Sequence, residues 1–305
     1  MTDNSHLSAG PLRFGLAGTG HWARVAHARA LASTPATALT AVWGRNHDAA
    51  AELAAEFGAT AYDDFDEFLA AVDGVAFSVP PDVQSELATR AARAGKHLLL
   101  EKPVALSGAA ADQLVSAVLD AGVASVVFFT MRFQPDARKW LDGLVAAGGW
   151  TGGNARWLAS AFADDSPFNT PWRREWGGLW DVAPHALSVL WPVLGPVESV
   201  TADAGLGDVT HLVLHHPDGV TSTVTVTLGA PPAADSFALE VWGEQGIFGV
   251  PELAGDPVTA LRVALTELAA NVQSGEVSHP CDVRFGRDVT RVLAEAQRQL
   301  DALGR

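Results

Sequence analysis

Three side chains in this sequence have the types and spacing to move a proton beside a reacting carbon. They are Lys102, in Glu101-Lys102-Pro103, and the pair Asp181 and His185, in the run Gly177-Gly-Leu-Trp-Asp181-Val-Ala-Pro184-His185. An ammonium can donate to a hydroxyl or carbonyl oxygen and stabilise a developing alkoxide. A neutral imidazole can take a hydroxyl proton as a hydride leaves the same carbon, and a carboxylate can orient or assist it. Spaced four apart, Asp181 and His185 would share one face of a helix. Pro184 complicates this, because proline suits a helix's first turn and disrupts its interior. Plainer roles compete: a solvated lysine beside Glu101, a helix-capping Asp181, a hydrogen-bonded core histidine at 185. Arg132, Trp172, Arg173 and Trp180 are candidates to line the same pocket. The region is rich in tryptophan (Trp150, Trp157, Trp172, Trp176, Trp180 and Trp191), and indole faces can cover a sugar ring, a nicotinamide or simply a core. His215 and His216 are adjacent on a strand and so point to opposite faces, with no third ligand evident. They read as structural, and no metal site is expected.

Such residues need elements to hold them. Leu12–Ala17 is a short apolar run of the kind that makes a buried parallel strand. It passes into Gly18-Thr19-Gly20-His21-Trp22-Ala23 and then a helical stretch, Arg24–Leu31. Strand, Gly-x-Gly-x-x-Ala turn and helix are the context of a dinucleotide fingerprint: one glycine for the turn, one for close approach of a pyrophosphate, an alanine for helix packing. A second strand, Ala38–Trp43, ends in Gly44-Arg45-Asn46. An acidic residue that would hold the ribose hydroxyls of NAD is missing there, and a guanidinium suits a 2′-phosphate. The expected cofactor is NADP, with NAD the alternative. Strands at Gly74–Val79, His97–Leu100 and Ala124–Phe129 alternate with helices at Asp48–Phe57, Asp63–Ala71, Asp82–Ala94 and Ser107–Ala121. That rhythm specifies a doubly wound parallel sheet, a Rossmann fold, with ligands at the carboxyl ends of its strands. Ser78, Pro80, Glu101 and Lys102 fall there.

Beyond residue 130 the pattern changes. Asn154–Ala161, Val197–Ala204, Thr210–His215, Val220–Leu228 and Phe237–Trp242 are strand-like, and His215-His-Pro-Asp-Gly219 signals a hairpin turn. Helical patterns cover Leu179–Leu194, Val258–Gln273 and Val283–Leu303. The expectation is a loose tail (1–11), a dinucleotide-binding domain (12–129) and an α+β domain with a large, mostly antiparallel open sheet (130–305). At 305 residues with 48% hydrophobic side chains, the chain can fill two cores. A net charge of −15 argues against nucleic acid or an anionic membrane as partner. The single cysteine, Cys281, rules out an intrachain disulfide and fits a reducing compartment, so a cytoplasmic protein is expected.

Taken in order, Gly18-x-Gly20-x-x-Ala23, Ser78-Val-Pro80-Pro81, Gly95-Lys-His97, Glu101-Lys102-Pro103, Arg132-Phe-x-Pro135 and Gly177-Gly-Leu-Trp-Asp181-x-x-x-His185 resemble the Gfo/Idh/MocA oxidoreductase family. The resemblance implies an NAD(P)-dependent dehydrogenase or reductase acting on a sugar, polyol or related small molecule. It puts Lys102 where nicotinamide and substrate meet, and Asp181 and His185 on the substrate side. The cofactor contacts it implies are Gly18, Thr19, Gly20, His21, Trp22, Gly44, Arg45, Asn46, Ser78, Pro80, Gln84, Glu101 and Lys102. The second domain's sheet is implied to join copies into a homodimer or homotetramer. Two departures stand out: Gln84, where the family often has His or Asn, and Trp176, where a third glycine is common. A non-catalytic dinucleotide-binding sensor or scaffold of the same fold is the competing reading. It is disfavoured because Lys102, Asp181 and His185 are all retained.

Overall fold

The first strands are built from residues that water excludes on both sides. Phe14, Leu16, Val42, Val75, Phe77 and Leu98 to Leu100 are all fully buried, as a parallel sheet covered on two faces requires. The computed structural model describes residues 10–163, 166–252 and 255–304, so nearly all of the expected tail lies outside the described residues.

The first lobe runs β1 (Leu12–Ala17), α1 (Arg29–Ser33), β2 (Thr37–Trp43), α2 (His47–Phe57), β3 (Thr60–Tyr62), α3 (Phe65–Ala70), β4 (Gly74–Phe77), α4 (Pro81–Arg93), β5 (His97–Leu100), α5 (Gly108–Ala121) and β6 (Ser125–Val127). Its sheet has the order β3-β2-β1-β4-β5-β6, all parallel. The order reverses beside β1, where a doubly wound fold binds its ligand. Side-chain caps fix several helix starts: Asn46 on α2, Asp64 on α3 and Ser107 on α5. The three-residue β3 was not evident from its sequence.

The second lobe contains α6 (Thr130–Phe133), α7 (Pro135–Ala147), β7 (Trp150–Leu158), α8 (Pro171–Asp181), α9 (Ala183–Leu194), β8 (Ser199–Ala204), β9 (Thr210–His215), β10 (Thr221–Thr227), β11 (Ser236–Gly243) and β12 (Gly246–Gly249). The strands form one sheet in the order β12-β11-β7-β10-β9-β8. Every pair is antiparallel except β7 with β10. The first of these strands starts and ends earlier than the expected 154–161, because Trp150 pairs with β11 across a register shift. Val224, Val226, Leu212 and Leu214 face the covering helices and are buried. The opposite face carries Thr201, Val213, Thr223, Glu240 and Trp242, which are exposed, and no element among the described residues covers it.

The chain then returns to the first lobe. Helix α10 (Pro257–Ser274) packs against α1, β2, β5 and β6. Helix α11 (Val283–Ala302) lies between α5 on one side and β8 and α9 on the other. Helix α10 thus helps cover the first sheet although it follows both sheets in the chain. His216, read as structural, is buried between Gly195 O and Ser222 Oγ at 2.9 Å each.

Helix α8 reaches β10 with no side chain between them at Gly178. A Cβ there would lie 2.9 Å from the Thr227 Cα and 3.1 Å from the Val226 carbonyl carbon, both backbone atoms that cannot give way. Gly178→Ala is expected to cost about 1–3 kcal/mol by overpacking, read as a fall in the urea midpoint. An unchanged midpoint would mean that α8 can lift off the sheet.

Candidate active site

The fingerprint turn is shaped by two glycines with different tasks. Gly18 has φ +127° and donates to the Trp43 carbonyl at 2.8 Å; a Cβ on it would sit 2.2 Å from the Ser78 carbonyl oxygen. Only glycine fits that conformation and that approach. At Gly20 a Cβ would meet nothing within 4 Å, so open space lies over the turn. The helix begins as Arg24 N donates to Gly20 O at 3.1 Å. Its first amides have no intrahelical acceptor and carry the positive end of the helix dipole. Open space, free amides and dipole together fit the pyrophosphate of a dinucleotide.

The same helix holds one wall of the cleft. Its stretch Ala23–Ala28 is wound as a π-helix before α1 takes over. Trp22 and His27 are five residues apart, and π winding with its i to i+5 pattern brings them to one side. Trp22 Nε1 donates to Glu101 Oε1 at 2.8 Å, and His27 Nε2 pairs with the same oxygen at 2.8 Å. His27 is fully buried, and its role escaped the sequence reading because an α-helix would have turned it away from Trp22.

Lys102 stands two residues past the end of β5, after Glu101, and the Lys102–Pro103 peptide is cis. Its Nζ crosses to the second lobe, where it donates to Asp181 O at 2.6 Å and Asp181 Oδ1 at 2.8 Å. Arg173 Nε binds the other oxygen, Oδ2, at 2.8 Å. The guanidinium of Arg173 also lies over the rings of Trp172 (4.8 Å) and Phe168 (5.3 Å), a stacked, pre-positioned cation. Burial pushes the Asp181 carboxyl up, but Lys102 and Arg173 outweigh it and hold the group well below the usual carboxylate range. His185 moves down for two reasons, burial first and then the nearby Lys102 charge, against a smaller opposing pull from Asp181. Its imidazole is therefore neutral near pH 7, and its buried Nδ1 has no hydrogen-bond partner among the described residues. The tilted Trp157 ring lies 5.4 Å from it, centre to centre.

Asp181 and His185 do not share one helix. The expected helix 179–194 is two: α8 ends at Asp181, Val182 (φ −107°, ψ −26°) makes the joint, and Pro184 sits in the first turn of α9. Proline is tolerated there because a first-turn N–H has no helical partner to lose. The break leaves both side chains facing the same space.

That space is a cleft of about 800 Å³ between the lobes. Gly20, His21, Trp22, Arg45, Ser78 and Pro80 line it from the nucleotide side, with Glu101 and Lys102 at its middle. Trp172, Arg173, Asp181 and His185 close it from the second lobe. Gly18, Thr19, Gly44 and Asn46 are set back: Thr19 packs under Gly44, whose Cβ would lie 2.6 Å from Thr19 Cγ2, and Asn46 caps α2 by accepting from Ala49 N at 3.2 Å.

Three expected contacts are corrected. Gln84 is fully buried and hydrogen-bonds the backbone around Lys102 rather than facing the cleft. Arg132 donates to Ser188 O at 2.9 Å and lies over Phe285, fastening α6 to α9. Trp180 is buried, with Nε1 donating to Gln297 at 2.9 Å, and serves the core under α11. Indole in each remaining case also divides by place: Trp157 faces the cleft, whereas Trp150, Trp176 and Trp191 pack among aromatic neighbours. Phe168, Gln134 and Glu175 line the cleft without having been singled out. Only Phe168 lies against the fingerprint, its ring 6.1 Å from His21 and 6.2 Å from Trp22, and no local sequence signal marks such a contact.

Two family models match the chain. Residues 12–129 match an oxidoreductase family with an NAD-binding Rossmann fold, and residues 144–249 match the GFO/IDH/MocA C-terminal domain. An inositol 2-dehydrogenase of Rhizobium meliloti (strain 1021) is 29% identical over 254 residues, 77% of this chain and 74% of that protein. A UDP-N-acetylglucosamine 3-dehydrogenase of Acidithiobacillus ferrooxidans is 33% identical over 124 residues, which span 41% of this chain and only 39% of the relative's length. Among solved structures, GenD2 from gentamicin A biosynthesis in complex with NAD shares the fold with TM-score 0.83 at 21% identity, covering 100% of this chain and 98% of that one. A levoglucosan dehydrogenase in complex with NADH and levoglucosan shares it with TM-score 0.82 at 18% identity, covering 96% and 98%.

A buried neutral imidazole leaves a signature in stability. The unfolded chain protonates His185 near pH 6.5 while the folded chain resists, so stability falls as the pH drops below about 6.5. His97 and His216 are also held down by burial and share in this slope. His185→Gln is expected to make the loss of urea midpoint between pH 7.5 and 5.5 smaller than in the wild type. The same slope in both proteins would contradict a neutral buried His185.

Proposed function

This chain belongs to the Gfo/Idh/MocA oxidoreductase family, and on that premise we propose that it transfers a hydride between C4 of a nicotinamide cofactor and a hydroxyl-bearing or carbonyl carbon of a sugar, polyol or related small molecule. The observation that carries this reading is the meeting of the two lobes: Lys102 reaches Asp181 across a cleft lined also by His185 and the fingerprint turn. The nicotinamide, when bound, supplies or accepts the hydride. Every proton falls to the protein.

His185 takes the hydroxyl proton in the oxidative direction and returns it in the reverse. Its neutral state near pH 7 supports that role. Asp181 is a poor proton store, because Lys102 and Arg173 keep it ionised; it orients Lys102. Two hydrogen bonds to Asp181 leave Lys102 a third N–H for the substrate oxygen. Trp157 and Trp172 offer apolar faces on which a sugar ring can lie. Names among the relatives, inositol 2-dehydrogenase and UDP-N-acetylglucosamine 3-dehydrogenase, support a polyhydroxylated substrate. For the cofactor we favour NADP: Arg45 lines the cleft at the tip of β2 and no acidic residue stands at Gly44. The uncovered face of the second sheet, with Val213, Trp242 and Ile247 exposed, supports association of two or four copies through it.

Turnover with NADPH or NADP and a panel of sugars, inositols and their keto forms, followed by nicotinamide absorbance, tests the reaction. Lys102→Met and His185→Ala are each expected to lower kcat by about 10²–10⁴-fold; full turnover in either variant removes the assigned role. Arg45→Asp is expected to weaken NADP binding by about ten- to hundredfold through loss of a charge-assisted bond and to spare NAD. Equal effects on both dinucleotides, measured by calorimetry, would refute the NADP preference.

A further inference from the structure

The sheet that delivers Lys102 stops short of it. β4 pairs with β5 as far as Leu99, and β6 as far as Leu100. Past that point no strand among the described residues lies beside the backbone of Glu101 and Pro103, in a place where unpaired polar groups are costly. The side chain of Gln84 fills the gap. It comes from the first turn of α4, whose Gln84 N–H donates to Pro80 O at 2.8 Å. Its Nε2 donates to Glu101 O at 2.7 Å and Pro103 O at 3.2 Å, while its Oε1 accepts from Glu101 N at 2.8 Å. The orientation of the amide is fixed by these partners, since the reverse would set an acceptor against two carbonyls.

These bonds bracket Lys102, one residue before it and one after. A lysine stem has four freely turning carbons, so its ammonium is placed only as well as its Cα is. We propose that Gln84 is the positioning residue for Lys102: its amide stands in for the missing strand neighbour on both sides of the lysine and fixes where Nζ meets Asp181 and the reacting oxygen. The consequence for turnover rests on the proposed hydride transfer, whereas the placement of the ammonium does not. An amide that merely glued α4 to β5 would leave Lys102 undisturbed when its loss is tolerated, and the test turns on that difference.

The chain has three lysines, Lys96, Lys102 and Lys139, so side-chain ¹⁵N signals of lysine-labelled protein are separable, with Lys102→Met identifying its own. Gln84→Met keeps the length and removes the polar atoms. It is expected to shift the Lys102 ammonium signal and speed its hydrogen exchange, leaving those of Lys96 and Lys139 in place. With a substrate in hand, kcat should fall about ten- to hundredfold, the scale of a small misplacement of a reacting group. KM for the dinucleotide should stay within twofold, and Gln84→Met should cost nothing further in the Lys102→Met background. An unmoved Lys102 signal, or an equal kcat loss in that background, would overturn the proposal. Should Gln84→Met not fold, Gln84→His, which keeps one donor and one acceptor, is read on the same signal and should show an intermediate shift. If the wild type turns over nothing, the proposed reaction fails, while the lysine signals still decide the placement.

Discussion

One carboxylate joins the two halves of this molecule's chemistry. Asp181 receives Lys102 from the first lobe on one oxygen and Arg173 from its own lobe on the other, both at 2.8 Å. A buried ion pair is not in itself a source of stability, because desolvation offsets much of the attraction. Leaving any one of the three without partners would be costly, since an uncompensated charge would remain on a largely buried side chain. The arrangement therefore specifies geometry more than it adds stability: the lobes can meet in the way that brings ammonium to carboxylate, and other dockings are penalised. Within the same cleft, Lys102 and Arg173 hold Asp181 ionised, while burial above all keeps His185 neutral.

Around that pair, the molecule solves a problem common to parallel sheets. Strand ends point at the ligand, and their backbone groups lose their neighbours there. Glycine at position 18 lets the Ser78 carbonyl approach closely, and Gln84 serves the backbone beyond β5. Trp22 and His27 tether the Glu101 side chain to the fingerprint helix. The last two devices tie the fingerprint helix and α4 to the loop that carries Lys102. The fingerprint helix and the loop that carries Lys102 are thus joined directly by side-chain hydrogen bonds.

Helix α11 and the returning helix α10 give the lobes a shared frame. Ion pairs from Arg287 and Arg291 to Asp112 fasten α11 to α5, while its other side packs on β8 and α9. The cleft opens between bodies connected at their backs.

The fingerprint, the alternation of strands and helices, and the Glu-Lys-Pro turn were legible in the chain because each depends on local rules: burial on both faces of a strand, backbone freedom at a glycine, capping at a helix start. So were the candidates Lys102, Asp181 and His185, whose chemistry belongs to their side chains alone. What folding decided is direction. Nothing in the spacing of Gln84, Arg132 or Trp180 tells whether a long side chain turns to the cleft or away, and all three turn to backbone or core partners distant in sequence. The break at Val182 and the π winding before α1 were likewise hidden, because both set the relation of residues that an ordinary helical period would misplace. Residue type and order set what could react; contacts between residues far apart in the chain determined which groups face one another.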